Sequence, residues 1–180
     1  MQLRRRVLLC ARMRLKVARL ERERKTIEAM IVCYCRGVHG SKAGPCAECG
    51  ELLEYAVVYG DYKGIHKQQV RQALASGQDV IMRIDVQGAA TIRRLAPQAV
   101  FIFLCPSSLD ELEQRLCARG TETAESLARK LAMIPREMAE WPKFDYVVLN
   151  PNNALDDAVE HIKAIILAER CRVKQRRIEL

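Results

Sequence analysis

From Glu51 onward, short apolar runs alternate with longer amphipathic segments. This alternation is typical of parallel strands joined by crossover helices, so it predicts an α/β fold. Val100–Leu104 is the most hydrophobic run, which predicts a central strand buried on both faces. The predicted strands are 56–59, 79–84, 100–104 and 146–149, the last three being parallel neighbours in one sheet. The first two predicted helices are 66–76 and 88–95. A third is capped by Ser107 or Ser108 and ends at Arg119, and a fourth begins at Thr123 and is kinked or restarted at Pro135. Asn152 or Asn153 caps the final helix.

The chain has 180 residues, of which 49% are apolar and 29% are charged. This length and composition suit one folded domain, or one domain with an appendage. No apolar run approaches the roughly 18 to 20 residues of a membrane-spanning helix, so we expect no such segment.

Basic residues are concentrated at the N-terminus. Residues 1–25 contain ten Lys or Arg and two Glu, which accounts for the whole formal net charge of +8. If the chain binds nucleic acid, we expect it to do so through this segment. The favoured alternative is a basic helix whose charged face is simply solvated. Apolar residues recur at steps of three and four from Leu3 to Val32, which predicts a basic amphipathic helix over this range. The pattern leaves open whether the helix is broken near Arg24. The same residues show no secretory pattern. The absence of acids before Glu21 would fit a mitochondrial presequence, but the stretch also lacks Ser, which favours a cytoplasmic chain.

Four of the eight cysteines are crowded between residues 33 and 49. Cys46 and Cys49 have the spacing of a metal-binding pair, and His39 with Cys35 or Cys33 would complete a tetrahedral zinc site. The alternative is a set of reduced thiols in a glycine-rich loop. A disulfide framework is not expected without a secretory signal.

Two local features indicate where a ligand would bind. Asp85 directly follows a predicted strand, and ligands of open α/β sheets bind at the carboxyl ends of strands. Arg115 and Arg119 lie four residues apart, so that two guanidinium groups could converge on phosphate oxygens. The alternative is a solvated helix face paired with Glu111 and Glu113.

From about residue 53 to residue 172, the chain resembles the C-terminal part of a bacterial guanylate kinase. The resemblance is carried, in family order and spacing, by Leu53–Gly64, Asp79–Ala89, Arg115-Leu116, Arg119–Thr121, Phe144–Asn150 and Ala164–Arg170. It implies a nucleoside-monophosphate-kinase type of P-loop fold, and the reaction of ATP with GMP to give ADP and GDP, with magnesium.

The resemblance also implies roles for individual residues. Glu54 corresponds to the carboxylate that accepts hydrogen bonds from guanine, and Asp85 to the acid lining the cleft where GMP, magnesium and the ATP phosphates meet. Arg115 and Arg119 correspond to lid arginines that neutralise the transferring phosphoryl group. Lys130 falls where the family usually has another Arg, and Asn150 matches a residue near the adenine.

Departures from the family pattern concern the same sites. Lys63 and Ile65 replace a Tyr and a hydroxyl residue that contact GMP, and Arg83 replaces the first acid of an Asp-x-Asp pair. No Gly-Lys dipeptide occurs anywhere, so the phosphate-binding motif G-x-x-x-x-G-K-[ST] is absent. We therefore expect impaired catalysis, and a sheet whose first strand is absent or replaced by a helix.

Residues of about 20–56 resemble the start of the small bacterial family of nitrous-oxide-stimulated promoter proteins. The matching stretches are Glu21–Thr26, Met30-Ile31, Tyr34–Arg36, His39-Gly40, Cys46–Cys49 and Glu51–Ala56. The chain is thus predicted to divide into a basic helix and Cys/His loop over 1–50 and a truncated guanylate kinase-like domain over 51–180. Besides an impaired kinase homologue, a non-catalytic interaction module and a zinc-binding regulatory fusion protein remain as hypotheses.

Overall fold

A computed structural model describes residues 7–11, 30–33, 50–58, 61–76, 79–118, 123–152, 154–174, 176 and 178, and only the backbone of 7–11, 30–33, 54, 56–58 and 61–63. The strands are β1 Val7–Ala11, β2 Met30–Cys33, β3 Leu52–Val58, β4 Asp61–His66, β5 Asp79–Ile84, β6 Val100–Cys105 and β7 Tyr146–Leu149. The helices are α1 Lys67–Ala75, α2 Val86–Leu95, α3 Leu109–Cys117, α4 Ala124–Met138 and α5 Leu155–Arg170, with a 3₁₀ turn at Trp141–Lys143.

Five strands form one parallel sheet in the order β2-β5-β1-β6-β7. Strands β3 and β4 form a separate antiparallel hairpin. The predicted α/β fold with a parallel sheet and flanking helices is confirmed. Strands β6 and β7 are parallel neighbours as predicted, whereas β5 is separated from β6 by β1.

The prediction for the N-terminal segment is wrong in two places. Val7–Ala11 and Met30–Cys33 are strands, not parts of a helix from Leu3 to Val32, and β1 occupies the centre of the sheet. Both are continuous apolar runs, which suits strands covered on both faces. β1 is stabilised by backbone hydrogen bonds to β5 and β6, and the spacing of apolar residues along the sequence carries no information about such bonds. The expectation of a sheet without its first strand is wrong for the same reason.

Alternate side chains of the sheet enter two hydrophobic clusters. On one face, Phe101 and Phe103 of β6 pack with buried residues of α1, α2 and β5. On the other face, Ile102 and Leu104 pack against α5, which buries Ile162 and Ile166. The sheet is thus covered on both faces, which leaves its edges and strand ends for polar contacts.

Side-chain caps begin two helices as predicted. The hydroxyl of Ser108 accepts a hydrogen bond from Glu111 N at 3.1 Å, and that of Thr123 accepts one from Ser126 N at 3.2 Å. The predicted cap of α5 is wrong, because its N-cap is Ala154, with no side-chain hydrogen bond. Helix α4 also continues through Pro135 without a restart.

The chain after α5 turns back across the amino ends of the strands. Arg176 donates to Ala99 O and to Asp145 Oδ1, both at 3.1 Å. Ile178 is 5% exposed and joins the cluster on the sheet face opposite α5. We call the described residues 171–174, 176 and 178 the C-terminal strap, since Arg176 binds at the amino ends of β6 and β7 and Ile178 packs on the sheet face opposite α5. None of the described helices is long and apolar enough to cross a membrane.

Candidate functional site

The carboxyl ends of the parallel strands form the edge at which a ligand would bind. The chain passes from β1 outward to β2 on one side, and from β6 outward to β7 on the other. Such a reversal of direction opens a crevice at the carboxyl ends of the central strands. The segments that follow β5, β6 and β7 therefore carry the candidate side chains.

Asp85 follows β5 and is the N-cap of α2. Its Oδ1 accepts a hydrogen bond from Gly88 N at 2.7 Å, which satisfies one of the free amides of the helix. Within the part of the chain that the structure describes, Oδ2 accepts no hydrogen bond. The predicted position of Asp85 at the carboxyl edge is thus observed, with one oxygen engaged in capping.

Arg115 contacts three groups on two segments. Its Nη2 donates to Asn150 O at 2.6 Å and to Glu111 Oε1, and its Nε donates to Asn152 Oδ1. The side chain is 15% exposed, so the guanidinium lies largely within the protein. Arg115 and Asn150, both predicted as site residues, are thus brought together. The pairing with Glu111, the alternative that the sequence left open, is also present, but the pair is not solvated.

Glu111 receives hydrogen bonds from three segments. Its Oε2 accepts from Ser107 N at 3.0 Å, and its Oε1 accepts from Asn152 N as well as from Arg115. Burial raises the pKa of Glu111, but the hydrogen bonds from Ser107, Arg115 and Asn152 outweigh it and hold the pKa below its ordinary value. The carboxylate therefore remains charged at neutral pH.

Asn150 is the first residue after β7 and is 5% exposed. Its N–H donates to Cys105 O at 2.8 Å, which extends the pairing of β6 and β7 by one residue. The position of the Asn150 backbone is therefore determined on one side by the sheet and on the other by Arg115.

Other predicted site residues are only partly described. Lys130 is half-buried in the middle of α4, and Arg119 lies outside the described residues. Glu54 and Lys63 are described by their backbones alone, opposite Ile65 and Ala56 in the β3–β4 hairpin. Ile65 is buried in the core, so this departure from the family pattern serves packing.

The predicted zinc ligands Cys35, His39, Cys46 and Cys49 lie outside the described residues. Among the residues that are described, no group of three His, Cys, Asp or Glu is arranged to hold a metal ion.

Sequence reasoning did not identify Glu111 and Asn152 as site residues. The sequence indicates Glu111 as an acid in the first turn of α3 and as a partner of Arg115, and Asn152 as a helix cap. The one available signal was the spacing of Ser108 and Glu111, which is that of a capping box. The contact with Asn152 spans 41 residues and has no local signal.

A five-stranded parallel sheet with helices on both faces, and polar residues at its carboxyl edge, defines an α/β protein of the P-loop kinase type. The crystal structure of guanylate kinase from Anaplasma phagocytophilum has this fold: it superposes with a TM-score of 0.64 at 20% sequence identity, over 93% of this chain and 87% of that one.

The guanylate kinase family model matches residues 43–169. The chain is 46% identical over 131 residues to guanylate kinase 2, chloroplastic/mitochondrial, of Oryza sativa subsp. japonica, covering 72% of this chain and 46% of that protein. It is 44% identical over 129 residues to the guanylate kinase of Desulfitobacterium hafniense (strain Y51), covering 72% of this chain and 64% of that protein. The chain belongs to the guanylate kinase family. It spans about half the length of the curated relatives that it matches.

Proposed function

We propose that this chain is a guanylate kinase homologue that retains part of the nucleotide site but does not transfer a phosphoryl group as it stands. Its substrates by kinship are GMP and ATP with magnesium, which places it in purine nucleotide metabolism, and we propose a cytoplasmic location. Relatives named guanylate kinase, at 44–46% identity, support the choice of nucleotides.

The segment that follows the central strand lacks the residues of a phosphate loop. β1 ends at Ala11, and the chain contains no glycine before Gly37 and no Gly-Lys dipeptide at all. A phosphate loop needs glycines so that successive backbone N–H groups can surround the phosphates, and a Lys on the β- and γ-phosphates. Because catalysis of phosphoryl transfer is almost entirely positioning and charge stabilisation, the loss of this loop should abolish turnover.

The remaining residues keep the roles that kinship suggests. Glu54 would accept hydrogen bonds from the guanine N1 and N2 donors, with Lys63 beside the GMP phosphate. By kinship, Arg115, Arg119 and Lys130 would face the transferring phosphoryl group, and Asn150 the adenine. Arg115 would have to leave its contacts with Glu111 and with the segment after β7 to do so. Magnesium in nucleotide sites binds phosphates and waters with one or two carboxylates, so Oδ2 of Asp85 suits this ion. Bound magnesium would offset phosphate charge.

A coupled assay of ADP release with GMP, ATP and magnesium tests this proposal. We expect no turnover above background, while the Desulfitobacterium hafniense enzyme serves as the positive control. GDP formation that disappears in Asp85→Asn, but persists in Asp110→Asn at an exposed position of α3, would contradict the proposal. Such a result would mean that another segment of the chain binds the phosphates in place of a phosphate loop.

A non-catalytic interaction module is the second candidate. It is favoured by the presence of a central strand without a glycine-containing loop after it, since a binding domain needs the sheet but not the phosphate cradle. Retained stability together with the absence of both turnover and nucleotide binding would favour this candidate.

The zinc-binding regulatory fusion protein remains a separate prediction, supported by the cysteine spacing and the resemblance at residues 20–56. Metal analysis of the purified chain tests it. One zinc per chain, lost in Cys46→Ser and retained in Cys171→Ser, is the expected result if the prediction is right. Cys171 is an exposed, unbridged cysteine, so it serves as the matched control.

A further inference from the structure

Arg115 is engaged by the protein itself along one edge of its guanidinium. In any arginine, Nε and Nη2 form a planar edge whose N–H groups match two oxygens of a carboxylate or a phosphate. Here Nε donates to Asn152 Oδ1, and Nη2 donates to Glu111 Oε1 and to Asn150 O. Each N–H group of this edge therefore already has an acceptor, so a phosphate can bind there only if these contacts open.

The carboxylate of Glu111 competes directly with a phosphate for these donors. Both groups are anions whose oxygens fit the planar guanidinium. The lowered pKa of Glu111 keeps this competitor charged at neutral pH. The side chains of Arg115 and Glu111 are 15% and 14% exposed, so salt screens their attraction less than that of an exposed pair.

Departure of Arg115 would not leave Glu111 without hydrogen-bond donors. Its Oε2 still accepts from Ser107 N at 3.0 Å, and its Oε1 still accepts from Asn152 N. These two N–H groups keep the opened state accessible, because a carboxylate that lost every donor would be strongly destabilised. Arg115 also lies in the last turn of α3, and helix ends open locally at low free energy. The contact is thus suited to open and close.

We propose that Glu111 and Asn152 form an autoinhibitory contact, which holds the Nε–Nη2 edge of Arg115 within the protein and excludes phosphate groups from it. The inference rests on the proposed function, in which Arg115 faces a phosphoryl group. It adds that the chain occupies this arginine with its own side chains, so that phosphate binding and the contact with the segment after β7 are mutually exclusive.

The contact lowers phosphate affinity by a simple population effect. A ligand that binds only the opened state has its affinity reduced by the fraction of molecules in that state. If about one chain in ten is open, the affinity is about tenfold weaker than that of a permanently open chain. Loss of the competing carboxylate should therefore increase phosphate affinity, whereas loss of a residue that supports the site would decrease it.

Glu111→Gln tests the proposal, with inorganic tripolyphosphate in the presence of EDTA as the probe, so that magnesium does not contribute. The substitution keeps the size of the side chain and removes the competing charge. Calorimetric titration should show an affinity about tenfold higher than that of the wild-type chain. Glu113→Gln is the matched control, because Glu113 is an exposed residue of the same helix and its replacement removes the same charge. Its affinity should stay within about twofold of the wild-type value.

Two results would overturn the proposal. Equal increases in Glu111→Gln and Glu113→Gln would show that the charge of the helix acts at a distance, without a specific contact. An unchanged or lower affinity in folded Glu111→Gln would show that this carboxylate does not exclude phosphate.

Two further variants keep the test independent of charge and of the folding of Glu111→Gln. Asn152→Ala removes a neutral acceptor of Arg115, so it should raise the affinity by about threefold with no change of charge. An unchanged affinity in Asn152→Ala would contradict its part in the contact. In an Arg115→Met background, the gain from Glu111→Gln should vanish, and a gain that persists would overturn the proposal.

Failure of the proposed function can be distinguished from failure of this inference. If neither the wild-type chain nor Glu111→Gln binds tripolyphosphate, Arg115 meets no phosphate in either state, which contradicts its role in the proposed function and the inference with it. Equal binding by the two chains contradicts the inference alone.

Discussion

Arg170, the last residue of α5, forms an ion pair with Asp79, the first residue of β5, at 2.9 Å between Nη2 and Oδ2. The Nε of the same guanidinium also donates to Oδ2, at 3.0 Å. Asp79 is 5% exposed, so its charge has lost most of its contact with water. The pair joins the end of the last helix to a strand that begins 91 residues earlier.

Replacement of Arg170 by Met should destabilise the fold, because it leaves the buried carboxylate of Asp79 without its partner. We expect a loss of about 2 kcal/mol in the free energy of unfolding, below the range for fully buried pairs because Arg170 is one-third exposed. Urea unfolding measures this loss. Arg129→Met is the control: its pair with Glu125 is exposed, and the loss should stay below about 0.5 kcal/mol. Equal losses in both variants would show that burial of Asp79 is not the cause.

The C-terminal strap should contribute to stability through Ile178. This side chain is 5% exposed and packs in the cluster with Phe101, so Ile178→Ala leaves a cavity at the end of the sheet. A loss of about 2 kcal/mol is expected, near the lower limit for core Ile truncations. Val173→Ala, at a strap residue that is 98% exposed, should change the unfolding midpoint very little. A neutral Ile178→Ala would mean that the strap does not pack in solution.

Tyr146 should titrate above the ordinary value of a tyrosine. Its hydroxyl donates to Glu169 at 2.7 Å. This hydrogen bond, burial and the charge of Glu169 raise the pKa of Tyr146 above its ordinary value of 10.0, against the opposing charges of Arg176 and Arg172. Folding therefore favours the protonated phenol. The resulting stability is fully present below pH 10 and is lost as the pH rises through the higher folded pKa.

Ultraviolet absorbance during alkaline titration tests this prediction, since the chain has five tyrosines. A component that titrates above the ordinary tyrosine value should disappear in Tyr146→Phe and persist in Tyr55→Phe, at an exposed position. If Tyr146→Phe leaves that component in place, the assignment to Tyr146 is wrong.

Binding of GMP should be weaker than about 1 mM, because several phosphate and base contacts of the family are missing. Each lost hydrogen bond to a charged phosphate is worth about 1.5–3 kcal/mol, and Lys63 can restore only a point charge. Calorimetric titration with GMP, and with AMP as the control ligand, measures the affinity. Micromolar affinity for GMP that is lost in Glu54→Gln would contradict the prediction and favour an active kinase.

The sequence alone determined the strands from β5 onward and the place of Asp85. Runs such as Val100–Cys105 are apolar without interruption, a pattern that requires cover on both faces, and Asp85 directly follows one of them. It also determined the absence of a Gly-Lys phosphate motif, which depends on residue identity alone.

Only the tertiary structure decided the strands at Val7–Ala11 and Met30–Cys33. Their apolar residues fit a helical repeat as well as a strand. The hydrogen bonds that β1 makes with β5 and β6 join distant parts of the chain, so the local spacing of apolar residues does not predict them. Only the tertiary structure also decided the contact of Glu111 with Asn152 and that of Asp79 with Arg170. Their partners lie 41 and 91 residues away, and a contact of that separation exists only once the sheet has brought the strand ends together.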